Sequence, residues 1–360
     1  IKLNIVCIKH RNILYAFIYN MFNRKDIKHY VLAASLILIA SYVGTYFKNN
    51  YIENNDAEYD MIKEYLLNES PLYGFNKTKI WIHSKYELNA RKWLDFQSRN
   101  TNNLNQPYIN LTIQSIIEHC SNEFHICLID DHTFSKLIPG WDININEIAE
   151  PKKGHYREIA MLKLLYIYGG MVVPDSFLCL KSLKGLYDKG TINSNPFMLE
   201  GINKTTSMNE TKRKIFTPQT YFMGSIKNNP IIELLIECLL KNTNNHFSQE
   251  NMFSNYFYDL CDLNINNGKM NIIDGKLIGV KSIDGSAILI EDLIEEKFLD
   301  LENNVFGIYI PRDEILKRNN YKWFANLSGI EILESNMAIS KYIKESKINT
   351  SLDITTNTDF

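Results

Sequence analysis

The sequence predicts an α/β protein with a largely parallel sheet, preceded by a single N-terminal transmembrane helix. Two observations carry this. From about residue 79 onward, short apolar strand-like runs alternate with amphipathic helical stretches, the pattern of a parallel sheet with helical crossovers. Upstream, Tyr30–Phe47 (YVLAASLILIASYVGTYF) holds no charged residue over a length that just spans a bilayer.

The elements follow in order. Arg24, Lys25 and Lys28 precede the apolar run, and Lys48 and then Glu53, Asp56, Glu58 and Asp60 follow it. This asymmetry predicts a single-pass anchor with 1–29 as a cytoplasmic tail, 30–47 as the span, and the body lumenal (Golgi- or ER-like) or extracellular. Residues 48–75 read as a polar, acidic stem. A folded domain over 76–349 comes next, and Thr350–Phe360 reads as a frayed tail. Within the domain, Lys79–His83 (KIWIH) is a strand. Tyr108–His119 carries Ile109, Ile113, Ile116 and Ile117 at helical spacing. Phe124–Ile129 is a buried strand ending at Asp130 and Asp131. Glu158–Tyr168 is an amphipathic helix stopped by Gly169 and Gly170, and Met171–Val173 is a short strand. Further strands are expected at Phe197–Glu200, Met270–Ile273 and Phe306–Ile310, with a helix at Pro230–Leu240.

Composition narrows the functions. Apolar residues make up 45% and charged residues 22%, which excludes a wholly disordered, collagen-like or polytopic membrane protein. A net charge of −2 provides no field to attract nucleic acid, which is excluded as a partner. The six cysteines form no CxxC pair and no zinc spacing, and their apolar settings predict buried free thiols.

In open α/β sheets, ligands bind beyond the carboxyl ends of the strands. Three strand ends here carry polar groups: His83 and Ser84, Asp130 and Asp131, and Asp175 and Ser176. Acids converging there suit a divalent metal and a phosphate-bearing ligand. Read singly, each is an ordinary turn or cap residue; Asp131, for one, is placed to cap a helix beginning near Phe134.

The stretch Arg157–Leu183, REIAMLKLLYIYGGMVVPDSFLCLKSL, resembles the core of glycosyltransferases whose sugar-binding region contains a DXD motif, the group of the fungal mannosyltransferase and capsular polysaccharide synthesis types. KIWIHSK and FHICLIDDHTF resemble that family's first two strands. The likeness covers about Lys79–Leu183 and, less closely, the chain to about Asn255. It implies a GT-A fold, a Rossmann-type sheet with flanking helices. It also implies a membrane-anchored glycosyltransferase that moves a sugar from a nucleotide-sugar donor to a glycan or glycoprotein acceptor. His83, Asp130, Asp131, Arg157, Glu158, Gly169, Gly170, Asp175 and Ser176 then line the donor site, and Asp175 binds the metal, Mn or Mg.

This sequence departs from the family at the DXD itself. The two aspartate positions fall on Pro174 and Ser176, so only the middle residue, Asp175, is acidic; the family's arginine falls on Met161, one turn beyond Arg157. Three readings stay open. Asp175 binds metal alone or with Asp130 or Asp131. Arg157 or Lys153 takes the diphosphate without metal. Or the domain binds ligands without turnover, as an inactive GT-A-like glycan- or nucleotide-sugar-binding protein. No catalytic residue is named by the sequence. A non-enzymatic anchored surface protein is the alternative from a different class. His155 reads as a solvated loop residue or a neighbour of the diphosphate, Trp81 and Trp93 as core or base neighbours, Gln249 and Glu250 as a helix start or acceptor-side groups, and Trp323 as a core aromatic or a surface for stacking a sugar.

Overall fold

The computed structural model describes residues 77–84, 106–150, 152–202, 215–244 and 250–356. The expected anchor at Tyr30–Phe47, the expected stem, Trp93 and Gln249 lie outside the described residues. Among the described residues no helix is long and apolar enough to cross a membrane.

The architecture is a mixed α/β sheet with a parallel core. Six strands run in the order β2-β1-β3-β6-β5-β7: β1 (Thr78–His83), β2 (Phe124–Ile129), β3 (Gly170–Val172), β5 (Phe197–Ile202), β6 (Phe216–Ser225) and β7 (Asn271–Ile273). β2, β1 and β3 are mutually parallel, with Ile80 opposite Ile126 on one side and Met171 on the other. Strand β6 is antiparallel to both neighbours, and β5 and β7 are parallel. A separate antiparallel pair joins β4 (Phe177–Cys179) to β8 (Gly307–Tyr309).

The three parallel strands read as unbroken apolar runs because both of their faces are buried. Ile80, Ile82, Ile126, Leu128, Met171 and Val173 pack into one cluster, and Trp81, Cys127, Ile129 and Val172 into the other. The first cluster also holds α1 (Tyr108–Cys120), α8 (Arg312–Lys317) and α10 (Ala338–Thr356). The second holds α3 (Lys152–Tyr168), α5 (Pro230–Asn244) and α6 (Glu250–Asn266). As expected, α3 packs through the fully buried Ile159, Leu162 and Leu165 and the partly buried Tyr166.

Several expectations change. Helix α3 begins at Lys152, six residues before Glu158. Its first turns are polar and carry no apolar period; they are held by the Glu150 carboxylate, which accepts a hydrogen bond from Gly154 N at 3.1 Å. His155 is therefore a half-buried helix residue and not a loop residue. Helix α10 runs to Thr356, into the segment expected to fray. Trp323 is 47% exposed, set edge-on to Phe324; Phe324, 1% exposed, is the core aromatic at this turn. The free cysteines Cys120, Cys127, Cys179 and Cys261 are buried and Cys238 is half-buried, in line with the sequence reading.

The turn from α3 into β3 is made by Gly169 and Gly170, with φ of +70° and +101°. Only glycine adopts such values without strain. Gly169 N caps α3 on Leu165 O at 2.9 Å, and Trp81 Nε1 donates to Gly169 O at 3.0 Å. At Gly170 a Cβ would run into the carbonyl of Lys79 on β1. This close approach lets β3 lie beside β1 and deliver Pro174–Ser176 to the carboxyl edge of the sheet.

Candidate functional site

Strands β1 and β2 end in step, since His83 is opposite Ile129 and Ser84 N donates to Ile129 O at 2.9 Å. The next residues along the chain therefore share one edge. There Arg157, reaching over from α3, binds Asp131 through both carboxylate oxygens: Nε donates to Oδ1 at 2.9 Å and Nη2 to Oδ2 at 2.7 Å. His83 Nε2 lies 2.9 Å from the same Oδ1, a hydrogen bond that needs the imidazole proton on Nε2. The His83 ring stacks on Phe134, with centroids 5.2 Å apart and planes 7° from parallel. Burial alone would raise the Asp131 pKa; hydrogen bonds from His83 and Arg157 outweigh it and hold the carboxyl well below the usual carboxylate range. Arg157 Nη1 also approaches Glu150 Oε1 at 3.4 Å. The structure thus brings together His83, Asp131 and Arg157, three of the residues assigned to the donor site.

The other assigned residues have different neighbours. The Asp130 carboxylate closes a turn, accepting from Thr133 N at 2.9 Å and Thr133 Oγ1 at 2.5 Å. Glu158 faces β6, where Thr220 Oγ1 donates to it at 3.1 Å. Thr220 sits in a bulge: Met198 pairs with Met223 but Leu199 pairs with Gln219, which leaves Thr220, Tyr221 and Phe222 looped out of the ladder. Nearby on α6, Tyr258 is pushed up to about 12, first by burial and then by the Glu158 charge. Met161, at the family's arginine position, is a core residue.

Asp175 and Glu158 have different hydrogen-bond partners. Asp175 is 3% exposed, and its carboxylate forms an ion pair with Arg312 at the start of α8, 137 residues along the chain. Its backbone oxygen accepts from Thr112 Oγ1 of α1 at 2.5 Å. Ser176 Oγ donates to Ile310 O at 2.8 Å. Burial alone would lower the Arg312 pKa, and the charge of Asp175 more than restores it. Tyr108, fully buried beside this pair, donates to Gln106 Oε1 at 2.9 Å, and burial pushes its phenol well up.

These residues do not fit a divalent metal. Asp175 is neutralised by Arg312, Asp131 by Arg157, and Asp130 is committed to its turn. The buried atoms left without a hydrogen bond at the Asp175 knot are Arg312 Nε and Gln106 Nε2. Both are N–H groups, which a cation does not satisfy. Among the described residues no group of three or more His, Cys, Asp or Glu could hold a metal ion.

Sequence reasoning missed Arg312, Thr112, Thr220 and Tyr258. Arg312 follows a strand and opens a helix, an ordinary setting for a charged residue, and nothing local ties it to Asp175.

No protein-family model matches the chain, and no curated protein matches it. Among solved structures it is similar to the PaToxG glycosyltransferase, with 14% identity, a TM-score of 0.32, and coverage of 83% of this chain and 98% of that one. It is also similar to the 4-diphosphocytidyl-2C-methyl-D-erythritol synthase from Anaerococcus prevotii DSM 20548, with 12% identity, a TM-score of 0.28, and coverage of 59% and 92%. Both likenesses are remote.

Proposed function

We propose that this chain is a GT-A-like protein that binds a nucleotide-sugar at the carboxyl edge of β1 and β2 and transfers the sugar to a glycan or glycoprotein acceptor. In this reading Tyr30–Phe47 anchors it with the domain on the lumenal or outer side. The observation that carries the proposal is the convergence of His83, Asp131 and Arg157 at the ends of two parallel strands, where open α/β sheets take ligands. Asp131 holds the Arg157 guanidinium in one orientation as a hydrogen-bond donor to a diphosphate, and Lys153 on the first turns of α3 supplies the net positive charge. Donor binding here uses side chains and not metal. A second reading, binding without turnover, is favoured by one observation: Asp175, the remaining acid of the DXD region, is held by Arg312 inside the protein.

The test is calorimetric titration of the chain with a panel of nucleotide-sugars, followed by a transfer assay on any that bind. Saturable binding that weakens about tenfold or more in Arg157→Gln supports the site. Binding without product in the transfer assay selects the second reading. Absence of binding by every nucleotide-sugar overturns both.

A further inference from the structure

Cys120 ends α1 and Cys179 ends β4, and their sulfurs lie 3.9 Å apart with both residues fully buried. The approach is fixed by the frame around it. Helix α1 is laced to the segment from Asp175 to Cys179 by Thr112 Oγ1 donating to Asp175 O at 2.5 Å and by Cys179 N donating to Ser115 Oγ at 2.9 Å. On the other side α10 closes over the pair. Ser346 Oγ donates to Cys179 O at 2.7 Å, and His119 Nε2 lies 3.1 Å from Ser346 Oγ. These contacts place two thiols, 59 residues apart in the chain, side by side in the core.

We propose that Cys120 and Cys179 are a disulfide site, closed when the chain folds in the presence of a disulfide oxidant such as oxidised glutathione. One thiolate attacks the oxidant, forming a mixed disulfide and releasing a glutathione thiolate. The second cysteine thiolate then attacks the protein sulfur of that mixed disulfide, forming the Sγ–Sγ bond and releasing the second glutathione. The protein loses two hydrogens, and the oxidant takes two electrons and two protons. The bond length of about 2 Å requires the sulfurs to close by roughly another 2 Å. Oxidation precedes the docking of α10, because the finished fold admits no oxidant to either sulfur. Burial, reinforced by Cys120, pushes the Cys179 thiol well up, so the packed state also holds little of the reactive thiolate.

The ring closed by this bond encloses Asp130, Asp131, Arg157, Glu158 and Asp175. It would tie the segment that carries Asp175 to α1 and restrict the unfolded chain over the part of the candidate site that lies between the two cysteines. This inference does not depend on what the site binds.

The experiment uses the full chain, reduced and unfolded, then refolded in detergent with a mixture of reduced and oxidised glutathione. Remaining thiols are alkylated under denaturing conditions, and the protein is digested without reduction for mass spectrometry. The expected result is one peptide pair joining Cys120 to Cys179, two hydrogens lighter than the separate peptides, with Cys127, Cys238 and Cys261 alkylated. The oxidised protein should also melt at a higher temperature than the same sample after reduction, and Cys179→Ala should abolish that difference. Alkylation of both Cys120 and Cys179 in folded protein from the oxidising mixture, or their linkage to other cysteines, overturns the proposal. Should Cys179→Ala fail to fold, the wild-type peptide map decides alone.

Discussion

Arg157 grips Asp131 with two parallel hydrogen bonds, of 2.9 and 2.7 Å, across the gap between α3 and the end of β2. Such bidentate pairs fix direction as well as charge, so the guanidinium is pre-aimed instead of sampling rotamers. Both side chains are mostly buried, which makes the pair a candidate anchor for an anionic ligand and also a structural tie. The two roles separate experimentally. Asp131→Asn keeps the shape but releases the charge; it should cost about 2 kcal/mol in denaturant unfolding and loosen nucleotide-sugar binding. Arg157→Lys keeps the charge but loses the fork, and should weaken binding while retaining most of the stability.

The same pair predicts a pH dependence. The folded Asp131 pKa is depressed relative to the unfolded chain, so across this window the unfolded state binds more protons and stability rises with pH. The contribution is complete above about pH 4 and is lost progressively as pH falls toward the folded pKa. Urea midpoints measured through this acid range should fall more steeply for the wild type than for Asp131→Asn. Parallel curves would show that another carboxyl dominates acid unfolding.

Asp175 predicts a stability effect where the resemblance implies a metal effect. Arg312→Met strands a buried carboxylate and should destabilise the fold by about 3–5 kcal/mol. The double variant Asp175→Leu, Arg312→Met should recover much of that loss, because no uncompensated charge is left. Manganese or a chelator should leave nucleotide-sugar binding by the wild type unchanged. A loss of binding on chelation would mean that Asp175 leaves Arg312 to take a metal.

Gly170→Val should abolish soluble expression or lower stability by on the order of 3 kcal/mol or more, since a Cβ collides with the Lys79 carbonyl at a φ of +101°. Gly140, also at positive φ but with open space around it, provides the control: Gly140→Ala should cost far less. Thermal unfolding of the two variants makes the comparison.

The parallel core was legible because burial on both faces writes itself as KIWIH and FHICLI. The α3–β3 turn was legible because two glycines stand where the chain must reverse. His83 and Asp131 could be picked out by their place after strands. What escaped was long-range or irregular. Strand β6 contains Pro218, Gln219 and Thr220 and shows no alternation; its buried Gln219 and Thr217 satisfy each other, Nε2 to Oγ1 at 2.8 Å, inside a strand broken by a bulge. Asp175 looked like a ligand because its sequence neighbours resemble a DXD region, while the partner that neutralises it, Arg312, is 137 residues away. Charge pairing across such distances leaves no local pattern.

The bulge on β6 yields the last prediction. Glu158 receives a hydrogen bond from Thr220 and raises the Tyr258 phenol, which burial already pushes up, to about 12. A raised folded pKa means that the unfolded state gives up its proton first. The stability tied to neutral Tyr258 is therefore complete below pH 10, the ordinary tyrosine value, and declines as pH rises toward 12. Phenolate absorbance should show this tyrosine titrating late, and Tyr258→Phe should remove one late-titrating group. Glu158→Gln removes the negative charge and should move the Tyr258 titration downward, leaving the part caused by burial. It should also leave Asp131 and Arg157 bound to each other, because their two hydrogen bonds run directly between them. A Tyr258 titration unchanged in Glu158→Gln would show that the Glu158 charge does not act on this phenol.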